Sequence, residues 1–199
     1  MPQLVSVARM RYISHTGCIR KGVGCMPVRE ILQLGNPMLR VKCAAVRSFG
    51  TPQLVELIDD LRDTLDDFKR RNNFGRGIAS PQIGVASRVV HIHTDESLTL
   101  INPVITGRSR KLITLWDDCF SFPNLMVKVK RHLAIDVRYQ DAEGKKHSLK
   151  AEDGLSELLQ HEIDHINGIL TVDRAIDSKH IIFRSEYEKW WATKGPAAY

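Results

Sequence analysis

Residues 154–167, with the sequence GLSELLQHEIDHIN, constrain the fold of this chain more than any other segment. His161 and His165 stand four positions apart, which places both imidazoles on one side of a helix, one turn from each other. Glu162 falls among the leucines of the apolar stripe, where a carboxylate is costly unless it is paired or functional. A helical His-Glu-x-x-His motif is typical of metal hydrolases in which the glutamate is the general base. The pattern therefore predicts a core helix that carries two metal ligands and a base.

Two further helices are predicted, one on each side of this segment in the chain. Thr51 followed by Pro52 is a typical helix start, because a threonine caps the helix and proline suits its first turn. Apolar residues at helical spacing continue to about Arg71, and the pair at 72–73 ends the pattern. A last helix is predicted over 178–191.

The region between the first two helices is predicted to form strands. Segments rich in β-branched residues or with alternating polarity lie at 88–94, 98–105, 111–120, 132–140 and 145–152. The last two flank Asp141 to Gly144, a typical hairpin turn. Asp153 is the predicted N-cap of the central helix, and Gly168 follows its last turn. The order of elements predicts an α+β fold with a mostly antiparallel sheet packed around the central, metal-binding helix.

Length and composition indicate one globular domain. The chain has 199 residues and a charged fraction of 26%, and it contains no internal repeat. No apolar run approaches the roughly 18 residues of a membrane-spanning helix, so no membrane partner is expected. The net charge of +6 is spread along the chain without interleaved aromatic residues, so nucleic-acid binding is a weak alternative.

The first 25 residues differ from the rest and are treated as an N-terminal extension, with a domain predicted over 26–199. They contain arginine and lysine but no acidic residue before Glu30, a composition like that of an organellar transit peptide. Met26 opens a second, complete-looking start, so residues 1–25 could also come from a misplaced start codon. Four cysteines without a C-x-x-C pair fit a reducing compartment. We expect the bacterial cytoplasm, with a mitochondrion or plastid as the alternative.

A mononuclear catalytic site needs a third protein ligand and one open position. Asp173 and Asp177 lie downstream of the helix, and Cys119 lies upstream in the segment WDDCFSFP. A lone cysteine is more often a small buried hydrophobe than a ligand. The helix by itself leaves this choice open.

Three segments in the same order resemble the motifs of the peptide deformylase family. They are GRGIASPQIG at 75–84, DDCFS at 117–121 and QHEIDH at 160–165. The family patterns are G-x-G-x-A-A-P-Q, E-G-C-x-S and Q-H-E-x-D-H. The resemblance extends over residues 26–190 and implies the family fold, with residues 26–199 as the catalytic domain.

This resemblance implies a set of functional residues. The implied metal ligands are Cys119, His161 and His165. Glu162 is then the general base, which takes a proton from the attacking water and later passes it to the leaving amine. Gln82 and the backbone N–H of Phe120 are the implied hydrogen-bond donors to the oxyanion. The implied reaction removes the N-formyl group from the N-terminal methionine of a nascent polypeptide and releases formate.

The implied substrate contacts include both matches to the family and departures from it. Gly77 and Ile78 stand where the main chain of the family pairs with an extended peptide. Asp117 replaces the usual glutamate, and Arg131 is its expected partner. Asp118 replaces a glycine beside the peptide groove, where its carboxylate could obstruct substrate, add charge or require a positive φ.

The ligand type and the resemblance favour different metals. Two imidazoles, a thiolate and a water suit Zn²⁺. The resemblance implies Fe²⁺ as the native ion, with Zn²⁺, Ni²⁺ or Co²⁺ able to occupy the same site. Either way, one divalent ion is expected.

Two other functions and several partners stay open at this stage. A metallopeptidase could use the same helix on longer peptides, and a non-catalytic or altered-specificity paralogue could bind metal and peptide. The resemblance allows transient ribosome association, and the chain could be a monomer or a homodimer. Trp190 and Trp191 are expected to pack the last helix, with a docking surface as the alternative.

Overall fold

The structure is a computed structural model that describes residues 28–192. The predicted N-terminal extension, residues 1–25, lies outside this range. Within it, the chain forms three α-helices and eight β-strands. No helix in this range has the length and apolar character that a membrane crossing requires.

One helix precedes the first seven strands, a second helix follows them, and the eighth strand lies between the second and third helices. The helices are α1 (Pro52–Asn72), α2 (Asp153–Ile166) and α3 (Arg184–Trp190). The strands are β1 (Gly77–Ala79), β2 (Val89–His93), β3 (Ser97–Arg108), β4 (Leu112–Asp117), β5 (Leu125–His132), β6 (Ala134–Gln140), β7 (Lys146–Glu152) and β8 (Ile181–Phe183). Short 3-10 turns lie at Pro37–Arg40, Ser80–Ile83, Thr171–Arg174 and Ser178–His180.

The strands form two antiparallel sheets. One sheet has the order β1-β2-β3-β6-β7, and the other has the order β4-β5-β8. Helix α2 lies against strands of both sheets. The predicted α+β class with a central helix is confirmed, and the strands divide into two sheets that share this helix.

Helix α1 begins and ends as predicted. The side chain of Thr51 accepts a hydrogen bond from the Leu54 N–H at 3.3 Å, and proline occupies the first turn. Asn73 follows the last residue with a φ of 60°, a left-handed conformation that asparagine tolerates better than most residues. Local sequence signals are therefore enough to define this helix.

Helix α2 is buried along most of its length, because its apolar residues pack on the five-stranded sheet. The residues of α2 in this core are Leu158, Leu159, Ile163 and Ile166. The predicted N-cap, Asp153, is wrong: Glu152 is the N-cap, and no side chain caps the helix. Strand β7 runs directly into the helix, and the N–H of Asp153 donates to the carbonyl of Leu133 at 2.9 Å. Gly168 follows the helix with a φ of 74°, as predicted.

The predicted last helix, 178–191, is wrong in its first half. Residues Ile181–Phe183 form strand β8, which pairs with β5, and the helix begins only at Arg184. The segment 111–120 was predicted as a strand that runs into a turn, and β4 ends at Asp117 with a turn after it. Strands β1 and β5 were not predicted. Two of the three strands of the smaller sheet, β5 and β8, thus have weak local signals, whereas β4 was predicted.

Strand β1 lies at the edge of the five-stranded sheet. It pairs with β2 through Gly77, Ile78 and Ala79, and no other strand within residues 28–192 pairs with its outer edge. An unpaired strand edge presents main-chain N–H and C=O groups that an extended peptide can bind.

Candidate metal centre

Three potential metal ligands converge where α2 meets the loop that follows β4. The Sγ atom of Cys119 lies 3.2 Å from His165 Nε2, and that nitrogen lies 3.2 Å from His161 Nε2. The three ligand atoms all lie within 4.8 Å of one another, and all three residues are buried. The structure therefore brings together the set that the sequence resemblance implied.

A buried carboxylate fixes the orientation of His161. Its Nδ1 lies 3.0 Å from Asp117 Oδ1 and 3.1 Å from Thr171 Oγ1. Burial alone would lower the pKa of His161, but the charge and hydrogen bond of Asp117 raise it well above its usual range. Because Nδ1 donates to this carboxylate, Nε2 faces the other two ligand atoms, and a bound dication would displace the proton that the raised pKa favours there.

The three residues fit a divalent metal ion. Lone pairs that face one point repel each other unless a cation or a proton lies between them. Burial and the neighbouring His161 hold the pKa of His165 well below its usual range, so its ring stays neutral, the form that binds metal. Burial raises the pKa of the Cys119 thiol, and a bound dication would offset this by favouring the thiolate. Two imidazoles and one thiolate leave a tetrahedral ion one open position.

A network of ion pairs braces the ligands from behind. Arg131 donates to Asp117 at 3.1 Å, which confirms the predicted pairing, and also to Asp164 at 2.5 Å. Arg174 donates to the other oxygen of Asp164 at 2.8 Å. Desolvation would raise the pKa of Asp117, but His161 and Arg131 hold it below its usual range. The carboxylate that orients the metal ligand is therefore charged and anchored.

Glu162 lies beside strand β1, in the same cavity as the ligands. Its side chain is buried, and its Oε2 has no hydrogen-bond partner within the described part of the chain. Burial raises the pKa of Glu162 to about 7. A Cβ atom on Gly77 would lie 2.7 Å from Glu162 Oε1, so the missing side chain makes room for the Glu162 carboxylate.

Gln82 reaches the centre from the turn after β1. Its Nε2 lies 3.6 Å from Cys119 Sγ and 3.3 Å from Ser121 Oγ, while its Oε1 accepts from the Ala79 N–H at 2.8 Å. The amide is thus held with its N–H groups towards the metal ligands. The Phe120 ring instead packs in the core, stacked on Phe68 with centroids 3.9 Å apart. Phe120 can therefore act only through its backbone.

Asp118 lies at the rim of the cavity, and Arg184 of helix α3 holds its carboxylate. The guanidinium of Arg184 lies 2.5 Å from Asp118 and 4.5 Å from the centroid of the Phe74 ring. Asp118 does not adopt a positive φ, so replacing the glycine of the family pattern does not require a strained backbone here. The added negative charge is paired rather than free.

The cavity at the centre has a volume of about 520 Å³. Cys119, His161 and Glu162 line it together with Gln82 and Gly77. The predicted metal ligand, base and oxyanion donor thus face one space that is large enough for part of a peptide.

The alternative third ligands lie elsewhere. Asp173 pairs with Arg40 and accepts from the Leu170 N–H at 2.8 Å. Asp177 accepts from the Lys179 N–H at 2.8 Å in a separate turn. Among the described residues, the cluster with metal-ligand geometry contains neither of them.

Three residues near the centre were not predicted from the sequence. Thr171 contacts His161 directly, whereas Asp164 accepts from Arg131, the partner of Asp117. Arg174 donates in turn to Asp164. Asp164 was within reach of the sequence, since it occupies the acidic position of the family pattern Q-H-E-x-D-H. Thr171 and Arg174 carry no such signal.

The two tryptophans of the last helix have different environments. Trp191 packs on Trp116 with ring centroids 5.6 Å apart, as the packing prediction requires. Trp190 has an exposed fraction of 58%, and its Nε1 donates to Glu186. The packing prediction thus applies to only one of the two residues.

An α+β fold in which one buried helix carries His161, Glu162 and His165, and the loop after β4 brings Cys119 to the two histidines, is typical of a metal-dependent hydrolase. The sequence model of one family, described as polypeptide deformylase, matches residues 28–180. The chain belongs to this family, whose members are metal-dependent enzymes that remove the N-formyl group from nascent chains. The expected family, fold and enzyme class are confirmed.

Curated relatives and solved structures agree with this assignment. Peptide deformylase 2 of Nostoc sp. is 37% identical over 170 residues, which are 80% of this chain and 92% of that protein. A peptide deformylase of Desulfotalea psychrophila is 33% identical over 173 residues, 83% of this chain and 98% of that protein. The structure of a Synechococcus elongatus peptide deformylase in complex with actinonin gives a TM-score of 0.72 at 29% identity, covering 82% of this chain and 86% of that one.

Proposed function

We propose that Cys119, His161 and His165 hold one divalent ion and that Glu162 transfers the proton in the removal of an N-formyl group. The observation that carries this proposal is the convergence of the three ligand atoms within 4.8 Å in the cavity that Glu162 lines. When bound, the ion would supply Lewis-acid polarisation of the formyl group and would activate water. Among the ions that suit these ligands we propose Fe²⁺ as the native one, with Zn²⁺, Ni²⁺ or Co²⁺ as substitutes.

Glu162 is suited to both halves of the proton transfer. Its raised pKa, about 7, lies near neutral pH, so the carboxylate can accept a proton from water and then donate it to the leaving amine. A general base usually contributes roughly 10²- to 10⁴-fold to the rate. The space left by Gly77 allows the carboxylate to lie close to the strand edge where a peptide can bind.

Gln82 and the backbone N–H of Phe120 are the proposed donors to the oxyanion. The Gln82 amide is held on both sides, since its oxygen accepts from Ala79 and its nitrogen contacts Ser121. A donor fixed before the reaction stabilises the charge as it develops, an effect of about 3 kcal/mol for one donor.

The outer edge of β1 is the proposed binding site for the peptide main chain, with Gly77 and Ile78 as the pairing residues. Asp118 borders the cavity and would lie beside the bound peptide. The proposed partner is a nascent polypeptide with an N-formylmethionine, met by transient association with the ribosome. The proposed setting is the bacterial cytoplasm, with a monomer or a homodimer as the active form.

The test is formate release from formyl-Met-Ala-Ser by protein purified without oxygen and loaded with Fe²⁺. Glu162→Gln should lower the rate by about 10²-fold or more while one metal ion stays bound per chain. Glu143→Gln, at the exposed β6–β7 turn, is the matched control and should keep the wild-type rate. Equal rates for Glu162→Gln and wild type would contradict the assigned role.

Asp118 supports a second candidate, a paralogue with altered specificity or without catalysis. Its carboxylate borders the cavity where the family pattern has a glycine. Metal binding without formate release from any formyl peptide would favour this candidate. Hydrolysis of an unblocked peptide at a comparable rate would instead favour a metallopeptidase.

A further inference from the structure

An ion pair forms part of the wall of the cavity that holds the metal centre. Arg76 Nη2 lies 2.7 Å from Glu157 Oε2, and both residues line the same space as Cys119, His161 and Glu162. The Glu157 side chain has an exposed fraction of only 7%. A nearly buried carboxylate paired with an arginine is an unusual wall for a pocket that would accept an apolar side chain.

The pair stands next to the proposed reaction centre. Glu157 precedes His161 by four residues of α2, about one turn and a rise of about 6 Å. Arg76 precedes Gly77, the residue that leaves room for the Glu162 carboxylate. A side chain on the residue that carries the formyl group would therefore be within reach of this wall.

The guanidinium of Arg76 is held in place with donors left over. Its Nη1 donates to the carbonyl of Gly154 at 3.2 Å, and its Nη2 pairs with Glu157. A guanidinium has five N–H groups, so these two contacts within the described residues leave three for other partners. The side chain has an exposed fraction of 48%, so water reaches these donors when no substrate is bound.

We propose that Arg76 determines specificity by selecting, on the residue that carries the formyl group, a side chain with an oxygen acceptor. This inference rests on the proposed deformylase function and names a substrate class for it. An apolar side chain would displace water from the guanidinium without replacing its hydrogen bonds, which is costly. A carboxylate or amide oxygen replaces them, and the fixed guanidinium loses little conformational freedom on binding. Formylmethionyl chains remain substrates, but less efficient ones, because a thioether is a weak acceptor.

The test uses formyl-X-Ala-Ser peptides in which X is methionine, norleucine, glutamine or glutamate, four side chains of similar length. The Fe²⁺-loaded wild type should give a kcat/KM for glutamine that exceeds that for norleucine by about tenfold, a ratio that one or two additional hydrogen bonds to a charged group support. Glutamate above glutamine would show recognition of charge, and equal values would show recognition of the oxygen acceptor. Both results support the proposal. Norleucine or methionine above glutamine would overturn it.

Variants distinguish the effect of the Arg76–Glu157 pair on specificity from general effects on the fold. Arg76→Met combined with Glu157→Leu removes both charges together, so no unpaired carboxylate stays buried, and norleucine should then equal or exceed glutamine. Arg76→Lys keeps the charge but loses the planar fork, so the preference for glutamine over norleucine should shrink. This variant provides the test if the double variant does not fold. Arg62→Met removes ion pairs with Asp59 and Asp63 of α1, away from the residues that line this cavity, and should leave the wild-type preference intact.

The outcomes distinguish this inference from the function on which it rests. Formate release with an unchanged glutamine-to-norleucine ratio in the double variant and in Arg76→Lys overturns the role of Arg76 and leaves the deformylase proposal standing. No formate from any of the four peptides, with metal bound, overturns both.

Discussion

Asp117 and Asp118 are neighbours in the chain, yet they lie in opposite environments. Asp117 is 5% exposed and contacts His161 and Arg131 inside the molecule. Asp118 has a side chain that is 34% exposed and pairs with Arg184 at the rim of the cavity. Successive side chains at the end of a strand point to opposite sides, so one step along the chain separates a buried carboxylate from a partly exposed one at the rim of the cavity.

The two ion pairs should differ in energy because their exposure differs. A buried charge left without its partner usually costs about 3–5 kcal/mol, whereas an exposed ion pair usually contributes about 0–1 kcal/mol. The burial of an aspartate therefore predicts the energy of its ion pair better than its residue type does.

Arg131→Ala should produce the largest effect, because it leaves Asp117 and Asp164 buried without their shared partner. We expect the free energy of unfolding to fall by about 3–5 kcal/mol. Urea titration of the metal-loaded protein measures this change. Arg174→Ala removes an exposed arginine from the same Asp164 and should cost about 1 kcal/mol or less. Similar losses of unfolding free energy in the two variants would contradict the expected difference between buried and exposed ion pairs.

The second largest effect is expected for Asp117→Asn, which should retain the metal ion less well. The His161 imidazole loses its charged acceptor, and loss of such a partner typically lowers metal affinity by about 10- to 100-fold. Release of the metal to a chelator, followed over time, measures the effect. Asp118→Asn is the matched control at the neighbouring position and should change the release rate by less than about threefold, given the small energies of exposed pairs. Faster release from Asp118→Asn than from Asp117→Asn would contradict this assignment.

Arg184→Met should have the smallest effect on stability, about 1 kcal/mol or less, since its partner stays accessible to water. Metal content should not change. The carboxylate of Asp118 is then unpaired beside the proposed peptide site, so KM should change while kcat for formyl-Met-Ala-Ser stays within about twofold, as expected for a change in uniform binding. A loss of bound metal would show that the rim pair supports the centre after all.

The parts of the fold that the sequence predicts are those with local signals. Helix α1 has a capping threonine and a left-handed asparagine at its ends, and α2 has a strong apolar stripe. Strand β5 was missed because it carries lysine and arginine at positions that are buried in the structure. Lys128 lies 5.7 Å from the centroid of the Trp116 ring, and Arg131 lies between two carboxylates. These partners come from distant segments, so no window of sequence shows why the charges can be buried.

In the site, too, the residues with a local sequence signal were the ones predicted. His161, His165 and Glu162 are visible from one helix, whereas Cys119 needed the family resemblance, since the helix alone left two aspartates as rivals. Asp164 and Arg174 contact each other only because a turn follows α2. Of the groups that brace the ligands, the Asp117–Arg131 pair was predicted, whereas Asp164, Thr171 and Arg174 were not.

Gly77 also bears on how mutations in this protein should be interpreted. It is not in the left-handed backbone region, so its requirement for glycine comes from the side chain of Glu162 and not from a turn. In a saturation library selected for activity, position 77 should tolerate as little change as the metal ligands, although it carries no functional group. Intolerance at this position would show that the Glu162 carboxylate needs the space that a side chain at position 77 would fill. A scan for reactive side chains alone would miss it.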